Sequence, residues 1–139
     1  MAIEFLKNLA GRGDRWISRL ATAACSLQLT PATYSIAAGS SGWTKKVEVV
    51  LTDPDGNLCD WYNGTFPASV SKSSSGGSVT LGSGVSTVTL ARGKGIVTIT
   101  GSGTWASGDT ATLTINASGT QTIFGKSVSA QTSVGTVPA

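Results

Sequence analysis

The sequence predicts an all-β fold, an antiparallel sandwich preceded by a short N-terminal helical segment. Up to residue 24 the apolar residues recur with helical spacing, whereas from Cys25 onward they alternate with the period of a β-strand. Gly-rich turns then separate short strands at intervals of about 8–12 residues, which is typical of sandwiches. These observations divide the chain into a leader (residues 1–24) and a β-sandwich (residues 25–139).

The leader has the pattern of an amphipathic helix. Apolar or small residues follow one another at alternating steps of three and four, as in a helix seam: Ile3, Leu6, Ala10, Gly13, Ile17 and Leu20. Phe5, Leu9 and Trp16 widen this stripe. Gly11 weakens the middle and Asp14 suits a helix cap, so the pattern predicts one kinked helix or two short ones. Because so short a helix is marginal alone in water, we expect its apolar face to be buried against a partner.

Charge is sparse and partly concentrated in the leader. Charged residues make up 12% of the chain and the net charge is +3. Four of the ten basic residues belong to the leader: Lys7, Arg12, Arg15 and Arg19. Nucleic-acid binding requires a basic stripe with aromatic or groove-fitting partners, so we expect no nucleic-acid partner. Residues 12–14 spell the integrin-binding tripeptide RGD, but a helix cap at Asp14 explains the aspartate more simply.

The second part of the chain has the pattern of successive strands. The segment TKKVEVVLTD is a strong strand, and a turn at DPDGN, a short strand LCDWY and further strands follow it. RGKG (92–95) indicates a hairpin, and the tail QTSVGTVPA is either an edge strand or a loose end. Thr and Ser, rather than charged residues, cover the outer faces. Few charges therefore protect the sheet edges from pairing with strands of another molecule. The side chains expected to face inward are Val47, Val49, Leu51, Val79, Leu81, Val88, Leu90, Val97, Ile99, Leu113, Ile115 and Ile123.

The residue inventory argues against catalysis. The chain contains no histidine, and its seven acidic residues form no convincing carboxylate pair for general acid–base work. A nucleophile would lack an adjacent base. The segment DPDGN resembles the start of a calcium loop, but Gly64 stands where the bidentate Glu should be, and we expect an Asx turn instead. We therefore predict no enzyme, no metal and no cofactor.

The two cysteines, Cys25 and Cys59, match no metal-ligand spacing. They form either a disulfide, which requires Cα atoms within about 7 Å, or two small buried side chains in separate strands, which we favour. The segment ATAAC (21–25) mimics a secretion cleavage site, but charges interrupt the apolar run that should precede it, so we expect no export by this route. The glycosylation-type triplets at Asn63 and Asn116 are then turn residues.

Three tryptophans lie in the second part: Trp43, Trp61 and Trp105. Trp61 is our candidate for the central core tryptophan of the sandwich. Exposed aromatic side chains in a row would instead indicate carbohydrate binding, but no defined cluster of polar partners accompanies them, so we favour packing.

Residues 47–115, half of the chain, resemble a bacterial immunoglobulin-like domain of the invasin and intimin type. Three motifs carry the resemblance: VVLTDPDGN as strand and turn, VTLARGKGIVTI in mid-domain, and WASGDTATLTI near the end. The resemblance implies an immunoglobulin-like antiparallel β-sandwich. It implies less about function, because such modules are grafted onto many proteins.

Two contexts commonly use these modules: tandem copies on secreted adhesin stalks, and single copies on tailed-bacteriophage virions, notably in head decoration (cement) proteins. One copy after an amphipathic leader is similar to the second context. This implies a structural virion protein, made in the host cytoplasm, that docks on the major capsid protein and displays its sandwich outward. The helix seam also suits a homotrimer. The docking residues would be Phe5, Leu6, Leu9, Arg12, Arg15, Trp16, Ile17, Arg19 and Leu20.

Alternatives from other classes stay open. A bacterial cell-surface adhesin would need tandem copies or a surface anchor, and a carbohydrate-binding Ig-like module would need exposed tryptophans. A membrane-surface protein would use the leader as an interfacial helix. No apolar run approaches membrane-spanning length, and we rank a membrane partner behind the capsid.

Overall fold

Alternation of apolar residues with Thr and Ser produces strands throughout the part of the chain that the structure describes. This computed structural model describes residues 25–82, 85–119, 121–123 and 125–139, so the expected helical segment lies outside it. In chain order the strands are β1 (Ser26–Thr30), β2 (Thr33–Ser35), β3 (Trp43–Thr52), β4 (Gly64–Ser73), β5 (Gly77–Leu81), β6 (Thr87–Leu90), β7 (Lys94–Gly103), β8 (Thr110–Ile115), β9 (Thr122–Ile123), β10 (Lys126–Ser127) and β11 (Gln131–Thr136).

The strands build two sheets that pack face to face as a sandwich. One sheet has the order β1-β3-β7-β5 and the other β2-β11-β8-β4-β6, while β9 and β10 form a small separate hairpin. Neighbouring strands are antiparallel except β2, which runs parallel to β11. The all-β, sandwich-like architecture expected from the sequence is therefore confirmed.

At both edges of the sandwich, the chain crosses from one sheet to the other between two short edge strands. Strand β1 pairs with the second half of β3, and after Pro31 the chain continues as β2 beside β11 of the other sheet. In the same way, β5 pairs with the second half of β7, and β6 pairs with the first half of β4. Each edge strand is consequently short. Short edge strands limit edge-to-edge pairing, so chain topology compensates for the scarcity of charge at the edges.

The core forms where the sequence predicts it. Of the inward-facing residues expected from the alternation, all are buried except Val79, which is partly buried against the core. Further buried side chains lie on β1, β4, β8 and near the C-terminus: Leu27, Leu29, Phe66, Ala68, Ala111, Val128 and Val137. Burial of apolar surface on both inner faces is thus the main force that holds the two sheets together.

Two expected elements differ from the observed ones. LCDWY is not a strand, because only a single bridge joins Leu58 to Thr52 and the chain then turns away. The tail is neither an edge nor a loose end, because β11 lies between β8 and β2 and pairs with both. Long-range pairing decided both cases, and local pattern does not reveal it.

The most buried tryptophan is Trp105, in a smaller cluster with Ile36, Ala111 and Val137, and the expectation that Trp61 is the central core tryptophan was wrong. Trp105 is 1% exposed, whereas Trp61 is only partly buried. The indole of Trp105 fits because Gly77 has no side chain, and a Cβ there would collide with the ring. The indole Nε1 donates to the carbonyl oxygen of Ser102 at 2.9 Å, which satisfies its one polar group.

Candidate docking surface

The docking residues predicted from the sequence all belong to the leader and lie outside the described residues: Phe5, Leu6, Leu9, Arg12, Arg15, Trp16, Ile17, Arg19 and Leu20. The described chain nevertheless shows where the leader joins the sandwich, because Cys25 directly precedes β1. We call this end of the sandwich the leader end. It consists of the loops 53–63, 91–93 and 116–130 around Cys25. The opposite end, with the loops 37–42, 74–76 and 104–109, is the far end.

Two buried thiols lie at the leader end. Cys25 is 3% exposed and Cys59 is fully buried, and no disulfide joins them. The side-chain hydrogen bond with Cys59 lowers the pKa of Cys25, although burial and the Asp53 carboxylate act in the opposite direction. Both side chains are small and buried, as favoured, but neither lies in a strand, and their direct contact was not foreseen. This contact anchors the first residue after the leader to the loop 53–63.

The loop after β3 is an Asx turn, as expected from DPDGN. The buried carboxylate of Asp53 accepts hydrogen bonds from the backbone N–H groups of Asp55 and Asn57, both at 2.9 Å. Gly56 takes a φ of 88°, which a glycine adopts at little cost. Backbone donors thus satisfy Asp53, and this carboxylate holds the loop in place.

The tight turn between β6 and β7 is the other rigid part of the leader end. Ala91 and Lys94 exchange backbone hydrogen bonds at 2.9 and 3.2 Å, and Arg92 and Gly93 between them have φ values of 54° and 81°. Gly93 donates to the Tyr62 carbonyl at 2.9 Å. The predicted hairpin turn is present, but only the Ala91–Lys94 bridge pairs its two arms, because β6 and β7 belong to different sheets.

Asn116 closes the third loop of the leader end from inside. Its side chain is fully buried and its φ is 58°. Its Nδ2 donates to the carbonyls of Val128 at 2.7 Å and Gln121 at 3.2 Å, and its Oδ1 accepts from the Gln121 N–H at 3.1 Å. Asn116 of the glycosylation-type triplet is therefore a structural turn residue, as expected. Nothing in the triplet itself indicated the internal hydrogen bonds.

The far end is held by one exposed carboxylate. Asp109 Oδ2 accepts from the Ala106 N–H and from the Ser74 hydroxyl, both at 2.8 Å, and Ser74 Oγ accepts from the Gly77 N–H at 2.9 Å. The Ala106 N–H, the Ser74 hydroxyl and then the charge of Lys72 lower the pKa of Asp109. This link ties the loop after β4 to the loop after β7, and it was not foreseen from the sequence.

The tryptophans pack within the fold. Trp43 lies between Tyr34 and Trp105, with ring centroids 6.1 and 5.4 Å apart, and burial raises the pKa of Tyr34. Trp61 meets the ring of Tyr62 edge-on at 6.2 Å. Packing, which the sequence favoured, is therefore the observed role, and these rings do not form the row of exposed aromatics that sugar binding would require.

The most exposed apolar side chains among the described residues lie at the β5–β6 sheet switch. Val85 is 48% exposed and Ile96 is 64% exposed. They border an open hollow of about 300 Å³ lined by Gly82, Val85, Thr87, Ile96, Val97 and Thr98. The hollow has no titratable side chain in its lining, so it provides no group for acid–base or nucleophilic chemistry.

The described residues provide no assembled chemical centre. Within residues 25–82, 85–119, 121–123 and 125–139, no group of three or more His, Cys, Asp or Glu side chains is placed to hold a metal ion. No helix in the same part of the chain has the length and apolar content needed to cross a membrane.

Comparison with known proteins identifies the fold. No protein-family model and no curated protein matches the chain. Among solved structures, a β-glycosidase from Bacteroides vulgatus matches 84% of this chain over 14% of its own, with 23% identity and a TM-score of 0.55. A glycosyl hydrolase family 2 member from Bacteroides cellulosilyticus matches 82% over 15%, with 12% identity and a TM-score of 0.53.

This chain therefore spans only about a seventh of either enzyme. Domains 4 and 5 of the S-layer protein SbsC also match, over 81% of this chain and 51% of theirs, with 16% identity and a TM-score of 0.44. At these identities the likeness to the two enzymes concerns architecture alone. The sandwich is an Ig-like fold of the kind that occurs as one domain of larger bacterial proteins.

Proposed function

We propose that the protein is a structural virion protein that decorates and stabilises a phage capsid. It docks through residues 1–24 on the major capsid protein and displays the sandwich outward. The observation that carries the proposal is the difference between the two parts of the chain. The described residues form a sandwich that buries its own inner faces, and they offer no assembled chemical centre. The amphipathic leader is attached to one end of it.

The docking energy would come from apolar burial, and the charges would set orientation. Phe5, Leu6, Leu9, Trp16, Ile17 and Leu20 would contribute about 25 cal/mol per Å² of apolar surface removed from water. Arg12, Arg15 and Arg19 would pair with acidic groups of the shell, which mainly affects the on-rate and the register. Copies on a symmetric lattice, or a trimer at a local threefold, would gain further by multivalency.

The position of Cys25 supports outward display. The leader joins the sandwich beside the end of β3, because Ser26 pairs with Thr52. Strand β3 has ten residues and runs from the far end to the leader end, so it spans about 33 Å. Docking through the leader would place the far end roughly that distance from the shell.

The test is removal of residues 2–24. We expect the truncated chain to keep its cooperative unfolding transition and β-type circular dichroism, because the described core lies within residues 25–139. We expect it to lose co-sedimentation with capsid shells made without this protein. Undiminished co-sedimentation of the truncated protein would contradict the proposal.

Flotation with phospholipid vesicles distinguishes the nearest rival function. A membrane-surface protein would float with vesicles through the leader and would not sediment with shells. In a reconstruction of the particle, density for the sandwich on an icosahedral shell would support decoration. A protein found in the membrane fraction and on no particle would contradict it.

A further inference from the structure

Arg92 has a backbone conformation that its side chain does not favour. Its φ is 54°, and this left-handed region is uncommon for residues other than Gly, Asn and Asp. A two-residue hairpin turn with positive φ at both positions favours Asn-Gly, yet this chain has Arg-Gly. Stability alone would select asparagine at this position. A disfavoured backbone conformation that persists is a reason to look for a role of the side chain.

The surrounding hairpin holds Arg92 in a single position. Its N–H donates to the Asn63 side-chain oxygen at 3.0 Å, and the Leu51 N–H donates to the Gly93 carbonyl at 2.9 Å. Gly93 also lies so close to the Cys59 carbonyl that a Cβ would be 2.5 Å from its oxygen. The turn is thus tied to loop 53–63 and to β3. Because this turn is already rigid, binding through the Arg92 side chain costs little backbone entropy.

The side chain of Arg92 is available for binding. The residue is exposed, and so is Lys94, two positions further along. The turn therefore presents two cationic groups to solvent.

This turn is adjacent to the attachment point of the leader. Cys25 contacts Cys59 by a side-chain hydrogen bond, and the Cys59 carbonyl lies against Gly93, the neighbour of Arg92. One chain of contacts thus leads from the first residue after the leader to the turn. A partner surface that approaches Cys25 would also come close to Arg92.

We propose that Arg92, with Lys94 beside it, is a second docking contact of the leader end and pairs with carboxylates on the acidic surface that receives the leader. The inference rests on the proposed function and specifies the chemistry of the partner. An arginine guanidinium suits this role because its planar fork binds a carboxylate through two hydrogen bonds. The contact lies at the rim of the interface, so its main effect is on the association rate.

The test compares Arg92→Asn with Lys46→Asn. Both changes remove one exposed positive charge, but Lys46 lies in mid-strand on β3, away from the leader end. We expect Arg92→Asn to raise Tm by about 1–4 °C, because Asn-Gly suits the turn better. We expect the same variant to associate with capsid shells about three- to tenfold more slowly at low salt, and at the wild-type rate near 1 M salt. Lys46→Asn should leave the association rate unchanged.

Arg92→Lys provides the conservative control. It keeps the charge and the strained turn, so it should retain most of the association rate without the gain in Tm. Wild-type association of Arg92→Asn, or a lowered Tm, would overturn the inference. If truncation of residues 2–24 abolishes shell binding while Arg92→Asn binds normally, only the second contact is wrong. If neither change affects shell binding, the proposed function fails as well.

Discussion

The two ends of the sandwich are built on the same plan but differ in what they expose. At each end an aromatic cluster packs inside and one polar side chain ties the loops together: Asn116 at the leader end and Asp109 at the far end. Far-end loops are mostly Ala, Gly and Ser, whereas leader-end loops present Asp55, Asp60 and Arg92. Both ends are thus closed by packing and by one polar side chain, and they differ in the number of charged residues in their loops.

The largest expected effect tests the packing of the far end. Trp105→Ala removes the large buried indole of this end, so we expect the free energy of unfolding to fall by about 3–5 kcal/mol. Urea denaturation measures the loss. Trp61→Ala is the matched control at the leader end, where the ring is only partly buried, and it should cost clearly less. An equal loss for both variants would mean that the two ends depend equally on their tryptophans.

The next effect tests the internal closure of the leader end. Asn116→Ala leaves the Val128 and Gln121 carbonyls without their side-chain donor. Alanine also tolerates a φ of 58° less well than asparagine, so we expect a loss of about 2–4 kcal/mol. Asn116→Gly allows the same backbone conformation, so its loss of stability measures the effect of the missing side-chain amide alone. It should recover about 1 kcal/mol of the loss. If both variants unfold at the wild-type urea concentration, the amide does not hold the loop.

The smallest effect distinguishes the two closures by pH. The pKa of Asp109 in the folded protein lies below its usual value of 3.8, so its contribution is fully present above that value. The contribution is lost as the pH falls through the lowered, folded-state pKa. The amide of Asn116 does not titrate, so the stability that it contributes to the leader end does not change with pH.

We therefore expect Asp109→Asn to lower Tm slightly at pH 7 and to flatten the acid side of the Tm profile. The side chain is exposed and screened by solvent, so a shift of a few degrees at most is expected. Glu48→Gln, on the outer face of β3, is the control for a lost surface carboxylate. An acid profile as steep in Asp109→Asn as in the wild type would exclude Asp109 as its source.

The core was predictable because burial follows the period of the strand. Alternation in TKKVEVVLTD placed Val47, Val49 and Leu51 on one face, and all three are fully buried. The hairpin at RGKG and the Asx turn at DPDGN were also predictable, since turn chemistry is local. The candidate docking residues of the leader stay a prediction, because they lie outside the described residues.

By itself, the sequence determined most of the strands, their inward faces and the turns, because these depend on side chains only a few positions apart. Only the tertiary structure decided which strands pair, where the chain changes sheet and which tryptophan is fully buried. These outcomes depend on residues far apart in sequence, such as Gly77 making room for Trp105 or Cys59 meeting Cys25. A contact of this kind leaves no local pattern, because the energy that fixes it comes from packing between distant segments.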